Sequence, residues 1–477
     1  MSIATGRETP RAVTTRSSQL GRLGLFVALG GSLVVVLDFS IVNVALPALS
    51  VEMGVSTTTA QWVITAYALT FGGLLVLGGR ASDFFGRRPV LLAGLVLFAV
   101  ASAAGGVAVN FEVLALSRAV QGVAAAFIAP AALSILTTRY PEGPERNRVL
   151  GYFGMTASAG FVVGLVAGGI LVDTVGWRGV FFVNVPVCFA LVVVGSKVLP
   201  SGTAAAGPRR LDLPGAALVT SGTAVLVYAP TLGAADGWTS LRFAGCLLVS
   251  AALIGAFVAV ESRSREPLVP LRIFRHHTLV IGDMLSGLLG AWVAGEVLVL
   301  SLYCQQVLGY SPLVSGFAAL PQGIGGLLRG VLGARLIDRF GLRRFLAGNC
   351  ALAAVSALAL FRFPVTTRYP GLGIVLLAFG FASTNVVFGS TVAASTGVTN
   401  DEQGLAGALV NATRQIGSAV GVAMLLSIVA IDTTANASIS HLADGFRLAL
   451  ACAAALAVVA TLLSLRLPRG DSGPPVT

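Results

Sequence analysis

The sequence predicts an all-α polytopic membrane protein, two six-helix bundles with two extra helices inserted between them, fourteen transmembrane helices in all. Three observations carry that prediction. Hydrophobic residues make up 56% of the chain and charged residues only 11%, with a mean hydropathy of +0.89, whereas a water-soluble globule carries about 25% charged residues. Apolar segments long enough to cross a hydrocarbon core of about 30 Å, roughly 20 residues each, recur along almost the whole chain. A short charged motif occurs twice, at an offset of 255 residues.

In order, the spans centre on residues 23–46, 60–78, 89–108, 112–137, 148–170, 179–199, 212–233, 241–260, 278–303, 312–334, 344–363, 370–395, 404–430 and 446–465. With the N-terminus inside, 23 of the 31 Lys and Arg residues fall in inside segments, 5 outside (Arg178, Arg242, Arg362, Arg368, Arg447) and three within spans (Arg118, Arg329, Arg414). Cytoplasmic loops hold the excess of basic charge, and one missed helix would invert every later loop. The split therefore supports fourteen spans with both termini cytoplasmic. The net charge of +11 reads as topology rather than a nucleic-acid footprint, because the arginines are spread over seven inside segments and form no single stripe. Residues 1–20 are polar and basic without a small-residue cleavage pattern, so the first span is expected to stay as an uncleaved anchor. Lys197 is the only lysine. That preference for arginine suits a high-GC bacterial genome, and the expected location is the bacterial cytoplasmic membrane.

The repeated motif divides the chain. "GGRASDFFGRRPVLL" follows span 2 and "GARLIDRFGLRRFL" follows span 10, sharing Asp-x-x-Gly-x-Arg as Asp83, Gly86 and Arg88, then Asp338, Gly341 and Arg343. A six-helix half needs roughly 190 residues. The offset therefore leaves room for spans 7 and 8 between the halves. The organisation reads as a basic tail over 1–22, a six-helix bundle over 23–200, a linker with two extra helices over 201–277, a second bundle over 278–466 and a tail over 467–477. In each motif the glycine permits a tight turn between helices, while the aspartate can pair with arginines at the next helix start. Asp83, Gly86, Arg87, Arg88, Asp338, Gly341 and Arg343 are thus candidates for a cytoplasmic gate; the plainer reading is that the charges only enforce topology.

These residues, with others, carry a family resemblance. The chain resembles the major facilitator superfamily, and within it the fourteen-span drug/proton antiporters, through "LDFSIVNVALP" in span 1, the span 2/3 loop, "LALSRAVQGVAAA" in span 4, "GFVVGLVAGGIL" in span 5, "WRGVFFVNVP" entering span 6, "LYCQQVLGYSP" and "NATRQIGSAVGVAML". The loop motif is common to the whole superfamily; the signatures of spans 1, 5 and 6 are specific to the fourteen-span exporters. One departure stands in span 5, where the family pattern Gly-Pro-x-x-Gly-Gly has Leu165 in place of proline. Gly160, Gly164 and Gly168 still share one helix face, followed by Gly169, and small residues on one face let another helix approach closely. The resemblance implies that this face packs between the two halves and serves antiport; ordinary helix packing is the alternative.

Charges inside the bilayer are the candidate working parts. A carboxylate at mid-bilayer costs roughly 2.5–3.5 kcal/mol on insertion scales, so it is kept where it meets a partner or a wet cavity. Asp38 lies in span 1 and Glu296 deep in span 9; adding the repeat offset of 255 to Asp38 gives position 293, less than a turn from Glu296. Both acids are expected to face a shared central cavity, one or both exchanging protons for cargo. Burial disfavours an ionised carboxyl and a nearby cation favours it, which links protonation to loading. One proton moving down about 150 mV supplies roughly 3.5 kcal/mol, enough for a gradient of a few hundred-fold. Arg118, in "SRAVQG", is the third partner; the resemblance implies a role in proton transfer, against the alternative of a buried ion pair that fixes packing. Asp283 and Arg329 form a weaker candidate gate pair. Trp292, four residues before Glu296, puts an aromatic ring on the acid's face, which suits a lipophilic cation. Tyr67, Trp62 and Phe39 are further aromatics, although rings also populate membrane interfaces and helix packing.

The function expected is proton-coupled efflux of lipophilic, possibly cationic, drugs or antibiotics by alternating access. A proton-coupled metabolite symporter on the same fold and a non-transporting receptor are the alternatives. An enzyme is not expected: no Walker loop, HExxH or nucleophile beside a histidine is present, and the histidines are His276, His277 and His441 in loops. The five cysteines, Cys188, Cys246, Cys304, Cys350 and Cys452, lie singly, without metal-ligand spacing. No cofactor, metal or nucleic acid is expected; the partners expected are a small lipophilic substrate, protons and the lipid bilayer, with the chain a monomer.

Overall fold

The computed structural model describes residues 21–140, 144–200, 212–264, 267, 269–362, 369–398, 403–431 and 439–468. Within them the regular structure is helical. The long helices are α1 (Arg22–Glu52), α2 (Trp62–Phe85), α3 (Arg87–Gly106), α4 (Phe111–Arg139), α5 (Pro144–Val175), α6 (Asn184–Val198) and α7 (Leu213–Asp236). They continue as α8 (Leu241–Arg263), α9 (His277–Leu302), α10 (Leu320–Phe340), α11 (Leu342–Arg362), α12 (Tyr369–Ser395), α13 (Gln403–Ile431) and α14 (Ile439–Ser464). A one-turn piece precedes α6 (Gly179–Phe182) and a two-turn piece precedes α10 (Pro312–Ala318). The N-terminal tail and the end of the C-terminal tail lie outside the described residues.

Among the described residues, twelve helices are long and apolar enough to cross a membrane, against the fourteen expected; at the fifth and tenth positions the apolar stretches are shorter, Ala159–Val175 and Pro312–Leu328. These two segments pack on one another where the halves meet.

Helix boundaries follow from ordinary capping chemistry. Asn110 and Ser240 accept from the N–H groups of Val113 and Phe243 at the starts of α4 and α8, and Ser311 does so from Val314 with Pro312 in the first turn. At the repeated motif both glycines leave the helix with positive φ, +91° at Gly86 and +75° at Gly341. A side chain there would be strained, so the two loops turn in the same way.

The packing is repeated. In the first half α1 contacts α4, α5 and α6, α2 contacts α4, and α3 contacts α4 and α6. In the second half α9 contacts α12, α13 and α14, α10 contacts α12, and α11 contacts α12 and α14. The halves meet where α2 lies on α13 and where α5 lies on α10, and the inserted α7 sits on the first of these seams, against both α2 and α13. Its partner α8 packs on α7 and turns most of its surface outward, since only 6% of its apolar window is buried.

Proline 47 adds a third contact between the halves. It has no N–H to donate to the carbonyl four residues earlier, so the Asn43 carbonyl lacks its helical partner. That carbonyl accepts from Ser301 Oγ of α9 at 3.2 Å, and the Val44 carbonyl accepts from Gln305 Nε2 at 3.2 Å. Nearby, Leu313 N–H donates to Asp173 Oδ2 at 3.2 Å. All three bonds lie at the ends of α1, α5 and α9 that the charge asymmetry assigns to the outside.

Candidate functional site

Asp38 and Arg118 are both fully buried and form an ion pair, Nη1 to Oδ2 at 2.5 Å. The carboxylate is otherwise saturated: Oδ1 accepts from Asn184 Nδ2 at 2.7 Å and from Gln121 Nε2 at 3.2 Å. Gln121 Nε2 also reaches Ser102 Oγ at 2.6 Å, and its Oε1 accepts from Arg118 Nη1 at 2.8 Å. Arg118 Nε donates to the Val63 carbonyl at 2.7 Å, and the guanidinium lies over the Tyr67 ring, 4.4 Å from its centre. Tyr67 in turn donates to the Val35 carbonyl at 3.0 Å. One buried network therefore joins α1, α2, α3, α4 and α6. Removing either charge would strand the other in low dielectric, which is far more costly than the pair itself is stabilising.

Glu296 contrasts with it. It too is fully buried, but its one hydrogen bond among the described residues is with an amide: Gln322 Nε2 of α10 donates to Oε2 at 3.0 Å. Among the described residues Glu296 Oε1, Gln322 Oε1 and Trp292 Nε1 have no hydrogen-bond partner. Arg118 Nη2 is likewise without a partner in the first network, but there the carboxylate itself is fully engaged, whereas in Glu296 one carboxylate oxygen is left open. Trp292 is fully buried in the apolar core, one turn from the acid.

The two acids sit at matched depth. Asn43 meets Ser301 where α1 and α9 touch, a separation of 258 residues, and the same separation carries Asp38 onto Glu296. Each acid lies five residues before the contact, about 7.5 Å along its helix. The loop motifs give 255 because the helices between span and loop differ slightly in length.

The other candidates fall as follows. Arg88 donates to the Ser196 carbonyl at the end of α6, Arg87 and Arg343 are half-buried, and Asp338 is exposed. The side chains of Asp83 and Arg329 lie outside the described residues. Asp283 is buried, with Oδ1 lacking a partner among the described residues. The glycine face of α5 is corrected: it does not pack between the halves. Gly160, Gly164 and Gly168 press on α1 of their own half, and an added Cβ would lie 3.1 Å from Leu33, 1.9 Å from Ser40 Oγ and 2.8 Å from the Ile41 carbonyl respectively. Gly169 alone of the four meets the other half, at Leu313. The arrangement recurs in α13, where Gly417 and Gly421 press on Gly287 and Ala291 of α9. In each half, then, a glycine face of the fifth helix lies directly on the first helix.

Sequence reasoning missed Gln121, Asn184, Ser102 and Gln322. All four are uncharged polar residues inside apolar spans, the kind of signal that marks interhelical hydrogen bonds. It missed the second glycine face as well, though Gly417 and Gly421 stand four apart.

Two helical bundles with a buried polar network in one and a part-satisfied acid in the other define a membrane transporter. The chain belongs to the Major Facilitator Superfamily, whose family model matches residues 28–422. It is 37% identical to the puromycin resistance protein of Streptomyces alboniger, over 88% of this chain and 83% of that one. It is 33% identical to the cephamycin export protein of Amycolatopsis lactamdurans over 91% and 90% of the two chains, and 33% identical to the lincomycin resistance protein of Streptomyces lincolnensis over 83% and 82%. The crystal structure of the human organic anion transporter MFSD10 superposes with a TM-score of 0.62 over 93% of this chain and 99% of that one, at 18% identity. That likeness is one of fold.

Proposed function

We propose that this transporter exports lipophilic drugs or antibiotics from the cytoplasm in exchange for protons, with Glu296 as the exchanging acid and the Asp38–Arg118 pair as the fixed polar frame of the first half. The observation that supports it is the difference between two acids at one depth. Asp38 has an arginine and two amides, so adding a proton there would cost several bonds. Glu296 has one amide and an orphan oxygen. An unpaired buried carboxylate is costly, and a proton or a cationic cargo each removes that cost, so the two compete for one place. Trp292, a turn away, supplies an aromatic surface beside it. The named roles of the antibiotic resistance and export relatives favour export over uptake.

The reading is tested in everted vesicles with a fluorescent lipophilic cation supplied outside and the lumen made acidic. Accumulation driven by an imposed pH gradient and abolished by an uncoupler is expected, and its loss in Glu296→Gln with retained substrate binding. Transport that ignores the uncoupler would overturn proton coupling, and proton-driven uptake into whole cells would indicate a symporter.

A further inference from the structure

The inserted helices carry two neighbouring acids, Glu261 buried and Asp212 half-buried, that the central site does not use. Asp212 caps α7, its Oδ1 accepting from Gly215 N–H at 2.9 Å. Glu261, near the end of α8, is only 2% exposed, and its Oε2 accepts from Val269 N–H of the α8–α9 linker at 3.2 Å. The remaining oxygens, Asp212 Oδ2 and Glu261 Oε1, are both buried and have no donor among the described residues. They converge on one another. A Cβ on Gly215 would lie 2.6 Å from Asp212 Oδ2 and 3.0 Å from Glu261 Oε1, so both open oxygens face the same small space beside Gly215.

Two ionised carboxylates repel strongly at such a separation in a buried place. A single proton between them turns one into a donor and satisfies both oxygens. Arg80 of α2 brings a cation to the same linker, donating through Nη2 to the Pro267 carbonyl. Arg272 and Arg275 of the adjoining turn are exposed. The linker is therefore held from two sides, by Glu261 at Val269 and by Arg80 at Pro267. Arg80 stands three residues before the repeated loop motif, and α7 rests on both halves.

We propose that Asp212 and Glu261 share one proton and form a second protonation site, at the cytoplasmic end of the inserted helices, that clasps the α8–α9 linker to α2 and lets it go when the proton leaves. The site takes H⁺ alone: one proton bound holds the pair together, and one released leaves two like charges that part, drawing Glu261 away from Val269 N–H. The proposal is independent of which acid drives transport.

The reporter is Val269→Cys, buried while the clasp holds, in the full chain with its five native cysteines replaced. Maleimide labelling in liposomes is compared at each pH with the same chain carrying Glu261→Gln, whose amide donates to Asp212 without a titrating proton. The thiol's own ionisation cancels in the ratio of the two rates. The expected ratio is near one at acid pH and rises about tenfold per pH unit before a plateau, the signature of one proton. Asp212→Asn in place of Glu261→Gln is expected to give the same curve. In a chain carrying Glu296→Gln and Asp283→Asn, which keeps both Asp212 and Glu261, infrared difference spectra across the same transition are expected to lose one protonated-carboxyl band, a reading that does not require either clasp variant to fold. A ratio of one at every pH, or no lost band, overturns the proposal.

Discussion

Asp38→Asn and Glu296→Gln make the same chemical change at the same depth, yet the structure predicts opposite consequences. Asp38→Asn leaves Arg118 fully buried with no counter-ion, still donating to the Val63 carbonyl and Gln121. Stranding one partner of a buried pair costs about 3–5 kcal/mol, a large share of the stability of any single domain. Glu296→Gln removes no ion pair; its amide still meets Gln322, so the change in stability should stay within about 1 kcal/mol. Thermal unfolding of the detergent-solubilised protein, followed by intrinsic fluorescence, measures both. The double variant Asp38→Asn with Arg118→Gln should recover much of the loss, since it leaves no unpaired charge. In vesicles, Glu296→Gln should be folded but uncoupled. If Asp38→Asn is as stable as the parent, or if Glu296→Gln is the one that unfolds, the division of labour between the acids is wrong.

Three further outcomes follow from the geometry. Gly164→Ala puts a methyl 1.9 Å from Ser40 Oγ and 2.8 Å from the Leu37 carbonyl and should destabilise by about 1–3 kcal/mol; adding Ser40→Ala removes the first clash and not the second, so the melting temperature should recover only in part. Asn184→Ala takes away the shorter of the two amide bonds to Asp38 Oδ1 and should cost about 1.5–3 kcal/mol, read from the same melts. Ser301→Ala deletes the donor to the freed Asn43 carbonyl; interhelical hydrogen bonds in membranes are worth about 0.6 kcal/mol, so cysteine accessibility at the outer seam should rise roughly threefold.

The bundles were legible in the sequence because hydropathy and arginine placement are properties of single segments, set by the bilayer rather than by neighbours. The repeat was legible because its turn needs glycine at Gly86 and Gly341 whatever surrounds it. Asp38, Arg118 and Glu296 stood out as charges in oil. What could not be read was who satisfies them. Asn184 is 146 residues from Asp38 along the chain and Gln322 is 26 from Glu296; neither distance has a pattern, since both depend on how helices rotate about their axes. The same gap explains the error over α5. Spacing showed that Gly160, Gly164 and Gly168 share a face, but only packing shows that the face meets α1.

Proline 47 hands the outer seam to the main chain. On the α1 side both acceptors, at Asn43 and Val44, are carbonyl oxygens, and no exchange of side chain in α1 deletes a carbonyl. Position 47 is the exception: a residue with an N–H there would reclaim the Asn43 carbonyl for the helix and leave Ser301 without its acceptor. A single imino acid thus decides whether the first helix keeps its own hydrogen bond or lends it to the other half.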